Sequence, residues 1–400
     1  LVKFLKGGAA RSRAAPRARR HGPQGGGRRG GPISRSAELP WRPCSIRCRK
    51  ASRRSARKAT SSRISCGNAY IHSEILRVCT GDMLADAVPK AAAQLPTLRV
   101  SLRRRAMLRC HGAKVTGIDW APDSKHLLSA SQDGFLLVWH VPSAQKVQAI
   151  TLRVPWVLAC AYAPSSHMVA SGGLDNVCTV YDLRKRKSIV NVPPASELFG
   201  HMGYISACRF RSENELLTSS GDGTCALWNV SRSKMVSHFT GHNKDVLDLR
   251  VCPTNANLFA SAGVDAVVQL WDVRTGRCEQ SWTGHRSDIN ALDFFPDGDA
   301  IASASDDASC RLFDLRASSE LARYTVPDSS PATSLNFSKS GRLLFVAHGE
   351  AKMTIFDSLR TDRVGALQGH DALVAAVQTS PDGQTVATGG WDAKILLWSS

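Results

Sequence analysis

An all-β chain closed into a seven-bladed β-propeller, preceded by a basic extension, is the fold class this sequence predicts. Three observations carry it. An acid followed six positions later by an aromatic residue recurs seven times: Asp133 with Trp139, Asp175 with Tyr181, Asp222 with Trp228, Asp265 with Trp271, Asp307 with Phe313, Glu350 with Phe356, and Asp392 with Trp398. Successive acids lie 42, 47, 43, 42, 43 and 42 residues apart, the pitch of a four-stranded blade and not of a leucine-rich horseshoe. Upstream of five of these acids stands a histidine, at His111, His201, His242, His285 and His370, offset by 22, 21, 23, 22 and 22 residues. Finally, the segments between these marks read as short strands, with no long helical period that would suit a helical solenoid.

The strands follow in order along the repeats. Residues 135–139, 177–181, 227–230, 267–271 and 395–398 are short, apolar or β-branched, and bounded by Gly, Asp, Ser or Pro, the pattern of β-strands cut by turns. Pro-Asp-Ser at 122–124, Pro-Asp-Gly at 296–298 and 381–383, and Lys-Ser-Gly at 339–341 fall at equivalent places as turn formers. Residues 97–107 alternate in part and are expected to supply the outer strand of the last blade, removing two open edges. A hydroxyl near each turn, as at Ser131, Ser220 and Ser305, is expected to join histidine, aspartate and aromatic in one hydrogen-bonded set that a thin blade could not otherwise bury.

Charge divides the chain. Residues 1–110 hold 26 of the 52 Lys and Arg but only four of the 33 Asp and Glu, so the formal charge of +19 belongs to the extension and the repeats are slightly acidic. Residues 1–96 are therefore read as a low-complexity basic extension, disordered or not authentic protein, and 97–400 as the propeller. Clustered Arg, Gly, Pro and Ser cannot bury enough apolar surface to order themselves. Three functional readings of the extension stay open: an arm for nucleic acid or anionic membrane, an organelle transit segment, and translation upstream of a start at Met83, the first methionine. No apolar run approaches the length of a membrane-spanning helix.

The twelve cysteines are scattered without a C-x-x-C pair, and Cys160, Cys178, Cys208, Cys225 and Cys310 sit in apolar strand runs, as buried free thiols do. No metal site or cofactor follows from them. Ser, His and Asp recur together, but in many blades at once, whereas a hydrolase needs one such constellation; neither a phosphate loop nor a nucleophile elbow is present. An enzyme is not expected.

Particular words go further than the repeat marks. SASQDGFLLVW (129–139), SGGLDNVCTVYDL (171–183), TSSGDGTCALWNV (218–230), GHRSDINALDFFPDGDAIASASDDASCRLFDLRA (284–317) and VATGGWDAKILLW (386–398) resemble the β subunit of heterotrimeric G proteins, a WD-repeat family, over roughly residues 97–400. The resemblance implies a non-catalytic signalling subunit that binds a GDP-loaded α subunit through one propeller rim and offers that rim to effector proteins. It would couple receptors to effectors as a complex with a γ subunit, in the cytoplasm and held at the inner face of the plasma membrane through a lipidated partner. Matched to the family's α-contact positions are Lys114, Lys146, Trp156, Leu158, Leu174, Asn176, Tyr204, Asp245, Leu247, Asp288, Asn290, Asp306 and Trp391.

The sequence also departs from the family. Three positions that resemble α-contact sites have changed character, Gly112 and Thr116 where it has larger side chains and Met202 where it has a small polar one, and His140 follows Trp139 in place of aspartate. The family's N-terminal helix forms a coiled coil with γ, whereas Gly81 and Pro89 interrupt residues 70–95 and no sustained heptad is visible, which puts the γ partner in doubt; short helical stretches at 70–79 and 83–88 are expected at most. The alternative is a WD-repeat scaffold independent of α and γ subunits. Nucleic acid is not expected to bind the slightly acidic propeller.

Overall fold

The computed structural model describes residues 97–185, 192–325 and 330–400; the basic extension and the helical stretches expected within it lie outside the described residues. Twenty-eight strands form seven antiparallel sheets of four, and the molecule is a seven-bladed propeller. Blade three shows the plan. Ile205–Phe210 lies innermost, followed outward by Glu215–Ser220, Thr224–Asn229 and Lys234–Thr240.

Local sequence explains the stacking. Second strands such as Glu215–Ser220 and Leu258–Gly263 carry small Ser, Ala and Gly residues, so the next blade's innermost strand can approach. At Gly172 in blade two an added Cβ would stand 2.4 Å from Ile205 Cγ2 of blade three. Between blades three and four, Leu217, Cys225 and Phe239 pack with Val246, Leu249, Phe259 and Trp271. Each fully buried large side chain there contributes roughly 1.5–3 kcal/mol of transfer free energy, and equivalent clusters fill the other blade junctions.

The ring closes without a free edge at either end of the propeller. Val115–Trp120, innermost in blade one, touches Val374–Thr379 of blade seven, and Arg103–Arg109 pairs antiparallel with Lys394–Ser399 as the outer strand of blade seven. The closing strand begins later and ends later than the expected 97–107 span. Its buried anchor is Leu108, only 1% exposed and opposite Ile395, which holds the chain in the sheet two residues longer.

Every innermost strand starts with a β-bulge. In blade one Val115 pairs with Ser131 and Gly117 with Ala130, leaving Thr116 as the extra residue. Leu158, Ser206, Leu247, Asn290, Thr333 and Ala375 hold the same place in blades two to seven. A bulge bends the strand and re-aims one side chain, and all seven of these residues line the mouth of the central channel.

Candidate functional site: the channel rim

The rim is held by the repeated histidine sets. In blade one, His111 Nδ1 lies 2.9 Å from Asp133 Oδ2 and its Nε2 2.7 Å from Ser129 Oγ, while Trp139 Nε1 donates to the same hydroxyl at 2.8 Å. Blade three repeats this with His201, Asp222, Thr218 and Trp228; blade four with His242, Asp265, Ser261 and Trp271; blade seven with His370, Asp392, Thr388 and Trp398. Blade five joins His285, Asp307 and Ser303, and its Phe313 has no N–H to add. The hydroxyl differs from expectation. Ser131, Ser220 and Ser305 instead accept the N–H of the turn aspartate, at 3.3, 3.2 and 3.2 Å. The bridging hydroxyl stands two residues earlier, on the same face of the strand, where imidazole and indole both reach it.

These sets are electrostatically settled. Burial would raise the carboxyls of Asp133, Asp222, Asp265, Asp307 and Asp392, but hydrogen bonds from histidine rings, hydroxyls and backbone N–H groups outweigh it and hold each below the usual carboxylate range. Asp, His and hydroxyl are joined as in a hydrolase triad, but the hydroxyls of Ser129, Thr218, Ser261, Ser303 and Thr388 are buried and closed off from any substrate.

Above the sets, one backbone link recurs in all seven blades. The carbonyl just before the innermost strand accepts an N–H from the turn between the second and third strands: Lys114 from Gln132, Trp156 from Leu174, Tyr204 from Gly221, Asp245 from Val264, Asp288 from Asp306, Pro331 from Gly349, and Leu373 from Trp391, at 2.8–3.1 Å. The expected contact residues fall on this frame. Lys114, Trp156, Tyr204, Asp245 and Asp288 occupy the accepting station; Leu174, Asp306 and Trp391 the donating one; Leu158, Leu247 and Asn290 the bulge station of the channel mouth. Asn176 stands two residues beyond Leu174, with φ +62°, a left-handed conformation that Asn tolerates better than most residues. Lys146 is set apart: it lies on the outer strand of blade one, its ammonium 3.4 Å from Cys110 Sγ.

Contacts between blades fix the rim side chains. Tyr204 Oη donates to Asp245 Oδ2 at 2.8 Å, and burial and that carboxylate push the phenol well up from its ordinary value. Asn290 Nδ2 donates to Asp306 Oδ1 at 2.6 Å and to Ala332 O at 2.9 Å. Lys114 Nζ sits 3.8 Å above the Trp391 ring, a cation–π contact, and Asn176 Nδ2 donates to Met202 O at 3.2 Å. Exposure is uneven: Trp156 and Leu174 are exposed, whereas Leu158, Tyr204 and Asp288 are buried and shape the rim more than they protrude from it.

Below the rim lies a polar belt that the sequence reading missed. Asp119 accepts from Tyr162 N at 2.6 Å, Asp248 from Leu292 N at 2.9 Å, Asp293 from Phe337 N at 2.8 Å, Asn336 from Thr379 N at 2.7 Å, and Gln378 from Trp120 N at 3.1 Å. Burial pushes the Asp293 carboxyl up to about 6. The available signal was a polar residue next to last in the innermost strand, at Asp119, Arg209, Arg250, Asp293, Asn336 and Gln378; Asp248, third in its strand, carries no such mark. The channel cavity measures about 100 Å³, room for a few waters and well under the roughly 300 Å³ of the smallest ligand pockets. Among the described residues no three His, Cys, Asp or Glu side chains gather as metal ligands, and Cys160, Cys178, Cys208, Cys225 and Cys310 are buried thiols.

Seven four-stranded blades, five of them carrying a His, Asp and hydroxyl set and four of those a Trp as well, define a WD-repeat propeller. Residues 72–399 match a family described as G protein beta WD-40 repeat protein. The chain is 46% identical over 302 residues to guanine nucleotide-binding protein subunit beta-5b of Danio rerio, covering 74% of this chain and 76% of that protein. It is 48% identical over 313 residues to the G(I)/G(S)/G(T) subunit beta-1 of Homarus americanus, covering 78% and 91%, and 40% identical over 311 residues to the subunit beta of Oryza sativa subsp. japonica, covering 73% and 82%. The chain belongs to the G protein β WD-40 repeat family, whose propellers are non-catalytic and serve signalling. The family match reaches back to residue 72, into the segment read as extension.

Proposed function

We propose that this chain is a non-catalytic signalling subunit that holds a GDP-loaded G-protein α subunit against its channel rim and, once released, presents the rim to effector proteins. The observation that carries this reading is the frame itself. Eleven of the thirteen expected contact positions, from Lys114 to Trp391, fall on three repeated stations around one channel mouth, so a single macromolecular partner could touch the exposed ones together. An aromatic and polar surface over a narrow channel suits a protein interface better than a small-molecule cleft. The chain would act with a γ subunit and sit at the inner face of the plasma membrane through a lipidated partner. Among the described residues no helix is long and apolar enough to cross a membrane.

A scaffold independent of α and γ is the second reading, and exposed Met202, placed where the family has a small polar residue, favours it. Titration onto an immobilised GDP-loaded α subunit, with γ present, separates the two. Trp391→Ala, or Asn176→Ala with Asp245→Ala, is expected to weaken binding by about 2 kcal/mol, roughly thirtyfold, with the fold intact. A GTP-state mimic bound to α should weaken wild-type binding as well. No binding by folded wild type would leave the scaffold reading.

A further inference from the structure

Blade three carries an apolar shoulder that packing does not account for, and of which Met202 alone resembles a rim contact position. Met202 is 88% exposed, Phe199 60%, Val236 57% and Met235 36%. The backbone brings them together. On the outer strand Lys234–Thr240, Met235 pairs with Trp228 and Val236 is the extra residue of a bulge. Lys146 holds the equivalent place in blade one, opposite Trp139, and reaches back to Cys110 just before the blade histidine. Met235 reaches back the same way: a Cβ on Gly200, just before His201, would meet Met235 Cε at 3.0 Å. Phe199 and Met202 flank that Gly-His pair. The loop is fixed from both sides, because Asp222 Oδ2 accepts Met202 N at 3.0 Å and Asn176 Nδ2 donates to Met202 O.

The fringe of this shoulder is basic. Arg232, Lys234 and Lys244 are exposed, and Lys244 O lies beside Gly223 in the turn that carries Asp222. The nearby acids are already engaged, Asp222 with His201 and Glu197 with Arg153. The bulge at Val236 breaks the ladder register at the sheet edge, which disfavours an added strand, while Met235 and the Trp228 ring close over Gly200, each within 3.0 Å of where a Cβ would stand.

We propose that this shoulder docks an amphipathic helix of a partner protein, its apolar face on Phe199, Met202, Met235 and Val236 and its acidic flank on Lys234 and Lys244. The proposal goes beyond the rim reading, since Phe199, Met235 and Val236 are not rim stations.

The probe is a labelled helical peptide with leucines at i, i+3, i+4 and i+7 and glutamates elsewhere, titrated by fluorescence anisotropy against the full chain, beside a twin with lysines for the glutamates. The glutamate peptide should bind at least about tenfold tighter than its twin, and Phe199→Ser with Met202→Ser should weaken it by about tenfold or more. Lys234→Glu with Lys244→Glu should reverse the preference between peptides. Circular dichroism melts confirm that these exposed variants fold, and Trp391→Ala should leave peptide binding unchanged even where it abolishes α-subunit binding. Equal binding of the two peptides, retention by the Phe199, Met202 double variant, or loss in Trp391→Ala overturns the proposal. So does an anionic phosphatidylserine vesicle, or a second copy of the chain in sedimentation, as the only occupant found.

Discussion

Blades three and six solve one problem at opposite ends. Blade three buries its polar set beneath the rim, with His201, Thr218, Asp222 and Trp228 joined at 2.8–2.9 Å. Blade six has Glu350 at the acid position and no Gly-His pair. At its rim His348 Nδ1 lies 3.2 Å from Ser330 O and Ser330 Oγ accepts Glu350 N at 3.1 Å, but its buried ion pair lies at the far end, where Arg342 Nε and Nη2 donate to the two oxygens of Asp357 at 2.8 Å each, with side chains 5% and 0% exposed. Acids at the same place in blades two, four and five, Asp182, Asp272 and Asp314, face largely solvent-exposed arginines instead. A thin sheet can thus be pinned at either end, but only a pin beneath the rim fixes the turn above it. None of the expected contact positions lies on blade six. Blade two also lacks the histidine, and its turn is tied across to blade three through Asn176 and Met202.

The sharpest test of this difference removes the lower pin. Asp357→Ala would leave Arg342 buried and uncompensated, at an expected cost of about 3–5 kcal/mol. Arg342→Met combined with Asp357→Leu should recover most of it, because the pair is costly to break and not costly to replace. Urea midpoints of the three proteins decide the matter. If Asp357→Ala costs no more than a substitution in blade three, the buried pair is not what holds blade six.

Asp222→Ala in blade three comes next, at about 1–3 kcal/mol, since it strands His201 and the N–H of Met202. This blade also carries the pH dependence. Its carboxyl is held below the ordinary range, as are its counterparts in the other four sets, so their stabilisation is complete above the unfolded value of about 4 and is lost as pH falls through the lower folded values. Melting temperatures should therefore decline below about pH 4, and Asp222→Asn should make that decline shallower. An unchanged acid slope would show that the sets are not the groups being protonated.

Period and pairing were legible in the sequence because the six-residue step from acid to aromatic repeats in all seven blades, and in five of them the acid must also meet a histidine about 22 residues upstream. Ser129 and Thr218 were not legible, since the turn serines beside Asp133 and Asp222 look equally suitable until register places the earlier hydroxyl under the ring. Bulges were also hidden: the resemblance singles out Leu158 and Asn290 as contact positions and Thr116 as a changed one, and only the pairing shows each to be supernumerary and turned into the channel mouth. The Arg342 to Asp357 pair has no periodic mark at all. Phe199 just past a strand and Met235 within one carry no mark in the sequence, and only the structure shows them exposed.

The smallest effect is expected at Gln132, and it separates frame from surface. Gln132 shares the donating station with Leu174, Gly221, Val264, Asp306, Gly349 and Trp391, so seven blades fill one backbone link with chemically unlike side chains. What the fold requires there is the N–H, donated by Gln132 to Lys114 O at 3.0 Å. The Gln132 amide nitrogen is itself buried without a hydrogen-bond partner, so Gln132→Ala removes a polar group that gains nothing and should move stability by no more than about 0.5 kcal/mol. Gly221 at the same station is different, because a Cβ there would come within 2.2 Å of the Tyr204 ring. Gly221→Ala should therefore displace Tyr204 from Asp245 and disturb binding as well as stability. Urea midpoints for the two variants, read beside Asp222→Ala, test the point: a Gln132→Ala loss as large as that of Asp222→Ala would mean that the side chains of this station, and not only its backbone, belong to the scaffold.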